Sequence, residues 1–550
     1  MWYILLVVIT LTTFQILHWF WSCFWCLRDV PGPQNTSFIF GHALQLAQSK
    51  IGASYNRWSC SYGQTFKLRG PFLEPWLILG DPKGISHVLL SKAYVRPQWD
   101  RVIMELFFGR GLFCAEGEEH RKMRKTLNGA FTQQSVHDVA QVFYDLAYRL
   151  TKKWTDHIGA SNTKTFNIAL DLHILTLDAI SMTMFMHNLS EAQDNIPALL
   201  HNITNSPMAN RRSVLVETLV SIFPGLLRLP SPIKRWADQL RGELGSIAEN
   251  VWLGKVGIGM HAKLLDSLSH YQNLEHEEIT KEEAIAQVFT DQDIRLARAF
   301  NPEQIIGILF AGSETTANMI AECIYELAAH PHIQMKLRQE LAAFKAATGR
   351  DPGIEDILNG SVLPYFDAVS RETFRTKSVL RQVSRAAAED DIIPLEFPLS
   401  GTNQKEVHVK AGQLIHIPIR DGINTDEAIW GSNANDFCPE RWIEKGGLPP
   451  TVNQIRAQGH VLTFGDGPKV CLGRSFGANI YSRCRIGAKP FRLPAMTEFK
   501  IVMCILISHF TFAREDSVLD FYQVGGNTLK PFIRGRESEG VQMPLQVGLA

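Results

Sequence analysis

From residue 2 to residue 27 the chain carries 26 side chains without one formal charge, rich in Leu, Ile, Val, Phe and Trp, and the run ends at Arg28-Asp29. As a helix, at about 1.5 Å per residue, such a run crosses roughly 30 Å of hydrocarbon. It can therefore span a bilayer. The aromatic and His cluster at positions 18 to 25 suits a membrane interface, and Pro31-Gly32-Pro33 stops the helix just beyond it. A cleaved signal peptide is the competing reading, but no basic stretch precedes the run and the run is longer than an ordinary signal core. We expect a single-pass anchor over residues 1–27. With no Lys or Arg ahead of it and Arg28 just after it, the positive-inside rule puts the bulk of the chain in the cytosol. The sequons at Asn35, Asn188, Asn202 and Asn359 then read as chance matches.

The remaining chain is long enough for a large core, with 45% hydrophobic residues among 550. Its 55 basic side chains balance 55 acidic ones, which gives no electrostatic case for nucleic acid. Nine cysteines, with one close pair inside the apolar run, form neither a disulfide framework nor a zinc spacing, so a reducing compartment fits better. Strand-like runs at 65–68 and 76–79 are followed by long helical periods from about 118 to 341, broken by the Pro-rich stretch 223–232. Short strands return at 392–417, and one helix is expected after Cys471. No repeat or long linker divides the chain. The fold class read from this pattern is mainly α with small β-sheets, in one domain over 28–550. The apolar but Pro- and Gly-containing segment 222–230 reads either as a membrane-surface element or as an ordinary packed loop.

The segment Phe464-Gly465-Asp466-Gly467-Pro468-Lys469-Val470-Cys471-Leu472-Gly473 is the most informative. A lone cysteine with apolar neighbours is ordinarily a small buried hydrophobe. Here glycines at 465, 467 and 473 allow close backbone approach and leave amide N–H groups free to point at the sulfur, as a tuned metal ligand requires. The run resembles the haem-binding loop of the cytochrome P450 family, in which Phe, Gly, Cys and Gly recur at this spacing. Three further segments resemble that family in the same order along the chain. Ala311-Gly312-Ser313-Glu314-Thr315-Thr316, inside a helical stretch from Pro302 to about Ala329, looks like the oxygen-activation motif. Glu372-Thr373-Phe374-Arg375 and the later Arg441 look like the partners of a structural ion network. His120 and Arg124 resemble the pair that meets a haem propionate, with His120 where many relatives have Trp.

The resemblance implies a cytochrome P450 fold. It also implies a haem b cofactor bound by Cys471 as axial iron ligand, with His120, Arg124, Lys469, Phe464, Gly465, Gly473, Ala311 and Gly312 around it. Glu314 and Thr315 would relay protons, while Glu372, Arg375 and Arg441 would be structural. The activity implied is monooxygenation of an apolar small molecule, in fungal secondary metabolism, for example of a terpenoid, or in xenobiotic oxidation. Electrons would come from NADPH through the flavoprotein NADPH–cytochrome P450 reductase, with cytochrome b5 as an optional second donor, at the endoplasmic reticulum membrane. A haem-thiolate isomerase or dehydratase that does not use O2, or a catalytically impaired haem-binding relative, are the alternatives.

The sequence departs from the family pattern in three places. Lys469 replaces an Arg, which keeps the charge but loses the fork geometry. Ser378 stands where a Pro is usual. The larger departure is residues 477–494, which separate the cysteine loop from the helix beginning Ala495-Met496-Thr497-Glu498-Phe499-Lys500. They include four basic residues, no acidic ones and two prolines. Eighteen codons make 54 nucleotides, so a short intron read through in frame is one reading and a genuine proximal-face loop is the other.

Overall fold

A helix that begins with Pro302 and runs through 28 residues organises the protein. Proline costs nothing at a first helical position, where its missing N–H would have no intrahelical partner and its fixed φ is already helical. The same device opens the helices at Pro331 and Pro364. Eight helices matter for the site: α1 (Gln98–Phe108), α2 (Gly117–Asn128), α3 (Gln133–Ile158), α4 (Ile168–Phe185), α5 (Pro302–Ala329), α6 (Pro331–Thr348), α7 (Pro364–Thr376) and α8 (Pro494–His509). Helix α5, about 42 Å long at 1.5 Å per residue, has α4 along one side and α8 and α7 against others. Ala317, Ile320, Ile324 and Leu327 of α5 are fully buried in the main core, as are Val502, Leu506 and Ile507 of α8.

The computed structural model describes residues 27–35, 37–49, 52–128, 133–185, 219–220, 223–231, 234–235, 237–239, 241–242, 245, 302–474, 494–515, 519–524 and 528–550. The expected anchor over 1–27, apart from Leu27, and the stretch 477–494, apart from Pro494, lie outside those residues. Among the described residues no helix is long and apolar enough to cross a membrane.

Four small sheets complete the fold. The largest has the order β1 (Thr65–Arg69), β2 (Pro75–Leu79), β8 (Leu414–Pro418), β5 (Gln382–Ala387), β3 (Tyr94–Val95). Within it β2 pairs parallel to β8, with Trp76 opposite Leu414, while β5 runs antiparallel with Val383 opposite Ile417. Leu77, Leu79, Ile415 and Ile417 from these strands build a second core beside the helical one. Strands β6 (Asp391–Pro394) and β7 (Glu406–Val409) form a two-stranded sheet, as do β10 (Leu519–Val524) and β11 (Thr528–Ile533). The fourth sheet, in the order β4 (Thr163–Asn167), β12 (Pro544–Leu549), β9 (Phe510–Arg514), departs from the sequence expectation. Strand β4 falls inside the stretch read as helical, because Thr-Lys-Thr-Phe-Asn carries no alternating apolar signal of its own. Its pairing partner lies far away in sequence: the Asn167 side chain accepts from the Met543 N–H, 376 positions on.

Candidate functional site: a thiol-floored cavity under helix α5

A cavity of about 400 Å³ lies between α5, the loop leading to Cys471, the start of β5 and the segment from α1 to α2. The cysteine loop is shaped by two backbone constraints. The Cys471 N–H donates to the Phe464 carbonyl at 2.9 Å, closing the loop on itself. Gly467 has φ +72°, and a Cβ there would stand 2.2 Å from the Leu89 carbonyl oxygen, so only glycine fits. The Phe464 ring packs on Phe374 of α7 at 5.4 Å, which ties the loop to the core. The exposure of Cys471 is exposure to the cavity that it lines. Burial pushes its thiol up; the N–H groups of Arg474 and Gly473 and the nearby guanidinium groups of Arg124 and Arg474 pull it back toward the thiolate.

One rim of the cavity is crowded with basic side chains. Arg96, His120, Arg124, Lys469 and Arg385 all line it. Arg124 donates to the Val470 carbonyl, next to the cysteine. Lys469 donates to the Ala115 carbonyl at 3.0 Å and pairs with Glu116 at 2.7 Å. The cations repel one another. Burial, with Lys469 and Arg124 close by, lowers His120 to about 4. Burial also lowers Lys469 to about 8, against the pull of Glu116, with Arg96 and Arg385 adding to the fall. Arg385 is lowered to about 10 by burial and by Arg96. Arg96 and Lys469 are paired with Asp100 and Glu116, at 2.9 and 2.7 Å, while Arg124 and Arg385 donate to the backbone carbonyls of Val470 and Ser384; the charge of these two guanidinium groups fits an anionic group with two carboxylates, and the thiol on the floor fits a metal at its centre. Haem b, with its two propionates, meets both conditions.

The opposite wall is the middle of α5. Ala311, Gly312 and Thr315 line the cavity there. Gly312 also serves the other side of the helix, where a Cβ would come within 2.7 Å of Ile180 on α4, so glycine is needed for the helices to approach. The Thr315 hydroxyl donates to the Ala311 carbonyl at 2.7 Å. Glu314 points differently from Thr315. Its carboxylate is buried toward α4 and β11, 2.7 Å from Lys530 and 2.8 Å from His173.

Behind the cysteine loop, Glu372 and Arg375 of α7 are both fully buried and form a two-bond pair at 2.9 and 2.7 Å. Arg441 adds a third bond to Glu372 at 3.0 Å and Trp442 a fourth at 2.9 Å. Arg375 also donates to the carbonyls of Asn424, Ala434 and Asp436. These charges staple the segment 424–442 to α7 and do not reach the cavity. Ser378, in the place of a proline, is fully buried and donates to the Leu380 carbonyl at 3.0 Å.

Sequence reasoning missed Arg385, Arg96, Glu498, His173 and Lys530. Arg385 stands in strand β5 next to Ser384, whose hydroxyl meets the buried His416 at 2.9 Å. No local motif distinguishes it from a surface arginine. Glu498 of α8 lines the cavity, and burial pushes its carboxyl well above the ordinary range.

A family model described as cytochrome P450 matches residues 31–481. Among similar proteins, cytochrome P450 monooxygenase claU of Ampulloclitocybe clavipes is 33% identical over 94% of this chain and 92% of that protein. Cytochrome P450 monooxygenase claW of the same fungus is 30% identical over 97% and 96%, respectively. Cytochrome P450 monooxygenase 205 of Postia placenta is 27% identical over 95% and 92%. Similarity of this extent, joined to a thiol at the floor of a cation-rimmed cavity, is found when a chain keeps both the scaffold and its cofactor chemistry. This chain belongs to the cytochrome P450 family and is a haem-thiolate monooxygenase.

Proposed function

We propose that the chain is a membrane-held enzyme of fungal secondary metabolism that inserts one oxygen atom from O2 into an apolar, terpenoid-like molecule. The observation that carries the substrate class is the cavity wall. Phe108, Phe113 and Phe310 form one aromatic cluster there, with ring centroids 5.6 Å apart for Phe108–Phe113 and 4.7 Å for Phe108–Phe310. Neutral polar groups on the wall are few, Thr183, Ser384 and Thr528 among them. Such a surface excludes water and holds a hydrocarbon skeleton, while a hydroxyl or two can orient it.

When bound, haem supplies the iron that activates O2 and, through its thiolate ligand, the electron push toward O–O cleavage. Cys471 would hold the iron; Arg124, Arg385, Arg96, His120 and Lys469 would hold the propionates. Thr315 would present its hydroxyl to the cavity, and Glu314, ion-paired with Lys530 and His173 on the other side of α5, would turn to relay a proton to it. Electrons would come from NADPH through NADPH–cytochrome P450 reductase, with cytochrome b5 as a second donor.

The membrane reading rests on the anchor composition and on an exposed apolar edge. Phe223 and Leu229 are 59% and 56% exposed, flanking a single turn of 3₁₀ helix (Pro224–Arg228) that packs on α1. Phe38 and Ile39, near half exposed, are similar in kind. Hydrophobic side chains of this size suit a lipid surface beside an endoplasmic reticulum anchor.

A reduced carbon monoxide difference spectrum followed by turnover of a terpenoid panel tests the proposal. We expect NADPH-dependent product carrying one atom of ¹⁸O from labelled O2. Product formed without O2 would establish the isomerase or dehydratase alternative instead.

A further inference from the structure

Strand β3 leaves the largest sheet at Val95, and the chain comes back to the same place at Glu116, just ahead of α2. Between these points runs one wall of the cavity. Helix α1 supplies Asp100, Met104 and Phe108 to it, and the turn that follows supplies Leu112 and Phe113. Met104 and Phe108 are buried in a cluster with Ile306 and Leu309 of α5, which holds the middle of the wall. That packing does not reach the two ends of the segment. Strand β3 is only two residues long, so sheet pairing does little to fix the neck.

One carboxylate closes the neck. Oε1 of Glu116 accepts from the backbone N–H of Arg96 at 3.1 Å, across 20 positions of chain. The same oxygen lies 2.7 Å from Nζ of Lys469. The Lys469 ammonium also donates to the Ala115 carbonyl at 3.0 Å. An ammonium has three N–H bonds, so two serve the neck and one is left for a propionate. The side chains of Lys469 and Glu116 are 15% and 19% exposed, and their attraction is screened less than that of a surface pair. The Arg96 guanidinium does not compete for the carboxylate, because it is turned to Asp100 at 2.9 Å. Lys469 in turn stands on a loop with little freedom, closed by the Cys471 N–H on the Phe464 carbonyl and pressed at Gly467 against the Leu89 carbonyl oxygen.

We propose that Glu116 is a positioning residue that registers the apolar wall, residues 98–113, against the loop carrying Cys471. Both ends of the wall meet at its carboxylate, and Lys469 ties that junction to the chain two positions before the thiol. The distance from Phe108 and Phe113 to the floor of the cavity is then set by an ion pair as well as by packing. A substrate lying against that wall is presented to the floor at a fixed depth, so Glu116 governs which of its carbons is oxidised without touching it. The inference does not depend on the terpenoid class put forward above.

Hydrogen exchange of the full-length holoenzyme, read by mass spectrometry, reports on residues 98–114, and azoles that ligate iron report on the cavity. Glu116→Gln keeps the shape of the side chain and can still accept from Arg96, but it offers no charge to Lys469. It should retain the carbon monoxide band. We expect its amides over 98–114 to exchange about tenfold faster while those of α7 keep the wild-type rate, the signature of local opening. 4-Phenylimidazole, whose phenyl ring needs the apolar cavity, should bind about fivefold more weakly, whereas imidazole, which lacks that ring, should bind as in the wild type. Lys469→Met removes the other partner and should speed the same amides, and the double variant should exchange no faster than the faster single one, since the two residues share one interaction. Wild-type exchange over 98–114 in Glu116→Gln overturns the proposal, as do additive effects in the double variant. Faster exchange with unchanged 4-phenylimidazole binding overturns it too, because Glu116 would then hold the segment without setting the cavity.

Discussion

Replacing the Cys471 sulfur should separate fold from chemistry more cleanly than any other single change. A serine hydroxyl is a far weaker ligand, mostly protonated at neutral pH. The core residues of α7 and α8 do not depend on the sulfur, so Cys471→Ser should express and lose the 450 nm type carbon monoxide band; a retained band would refute the ligand assignment. Thr315→Ala removes a hydroxyl that now bonds only its own helix, at Ala311. Haem content should be unchanged while NADPH consumption outruns product, measured as hydrogen peroxide released per NADPH. Cys471 and Thr315 were legible in the sequence because each stands at a short, fixed spacing from glycines, Gly473 and Gly312. Arg385 and Lys530 were not, since each acquires its place only when a strand is laid against a distant helix. The sequence also placed Glu314 beside Thr315 without indicating that its carboxylate turns to the other side of α5.

Among the elements, α7 depends on charge as much as on packing. Glu372 accepts from two arginines, an indole and the Cys438 N–H, with nothing of it exposed. Removing one partner of a buried charge set costs about 3–5 kcal/mol, because the others are left uncompensated. Glu372→Ala should therefore lower the free energy of unfolding, measured by urea titration, by that much or yield protein without haem. Helix α8 raises the question of the stretch before it. A Cβ on Gly473 would lie 3.6 Å from that of Ala495, so the chain on either side of 477–494 already meets. The family match ends at residue 481, inside the same stretch. We expect deletion of 477–494 to raise haem incorporation and speed first reduction. Equal haem content with faster reduction of the undeleted chain would make the stretch a real docking element. The helical and strand expectations held where side-chain periodicity is local, as in α5 and in β1 and β2. They failed at β4, whose backbone pairs with the distant strand β12.

For the whole molecule, acid stability should reflect buried carboxylates fixed by cations. Asp367 lies 2.6 Å from both Lys500 and Arg371. Burial pushes its carboxyl up, yet the two cations outweigh burial and hold it below the ordinary value of 3.8. A depressed value means that the folded state binds its proton more weakly than the unfolded chain. The stabilisation is therefore complete above about pH 4 and is lost as the pH falls from there toward the folded value. Asp367→Asn should be less stable at neutral pH and show a shallower loss of stability below pH 4, followed by urea unfolding across pH. The sheet that joins β4 to β12 adds a constraint in time. Because Asn167 must wait for Met543, neither β4 nor β9 can be closed on its inner edge until β12, which follows both, has been made. A nascent chain with its thiol loop already outside the tunnel still carries two open strand edges, so chaperones would hold it through most of synthesis and its cofactor would be captured late.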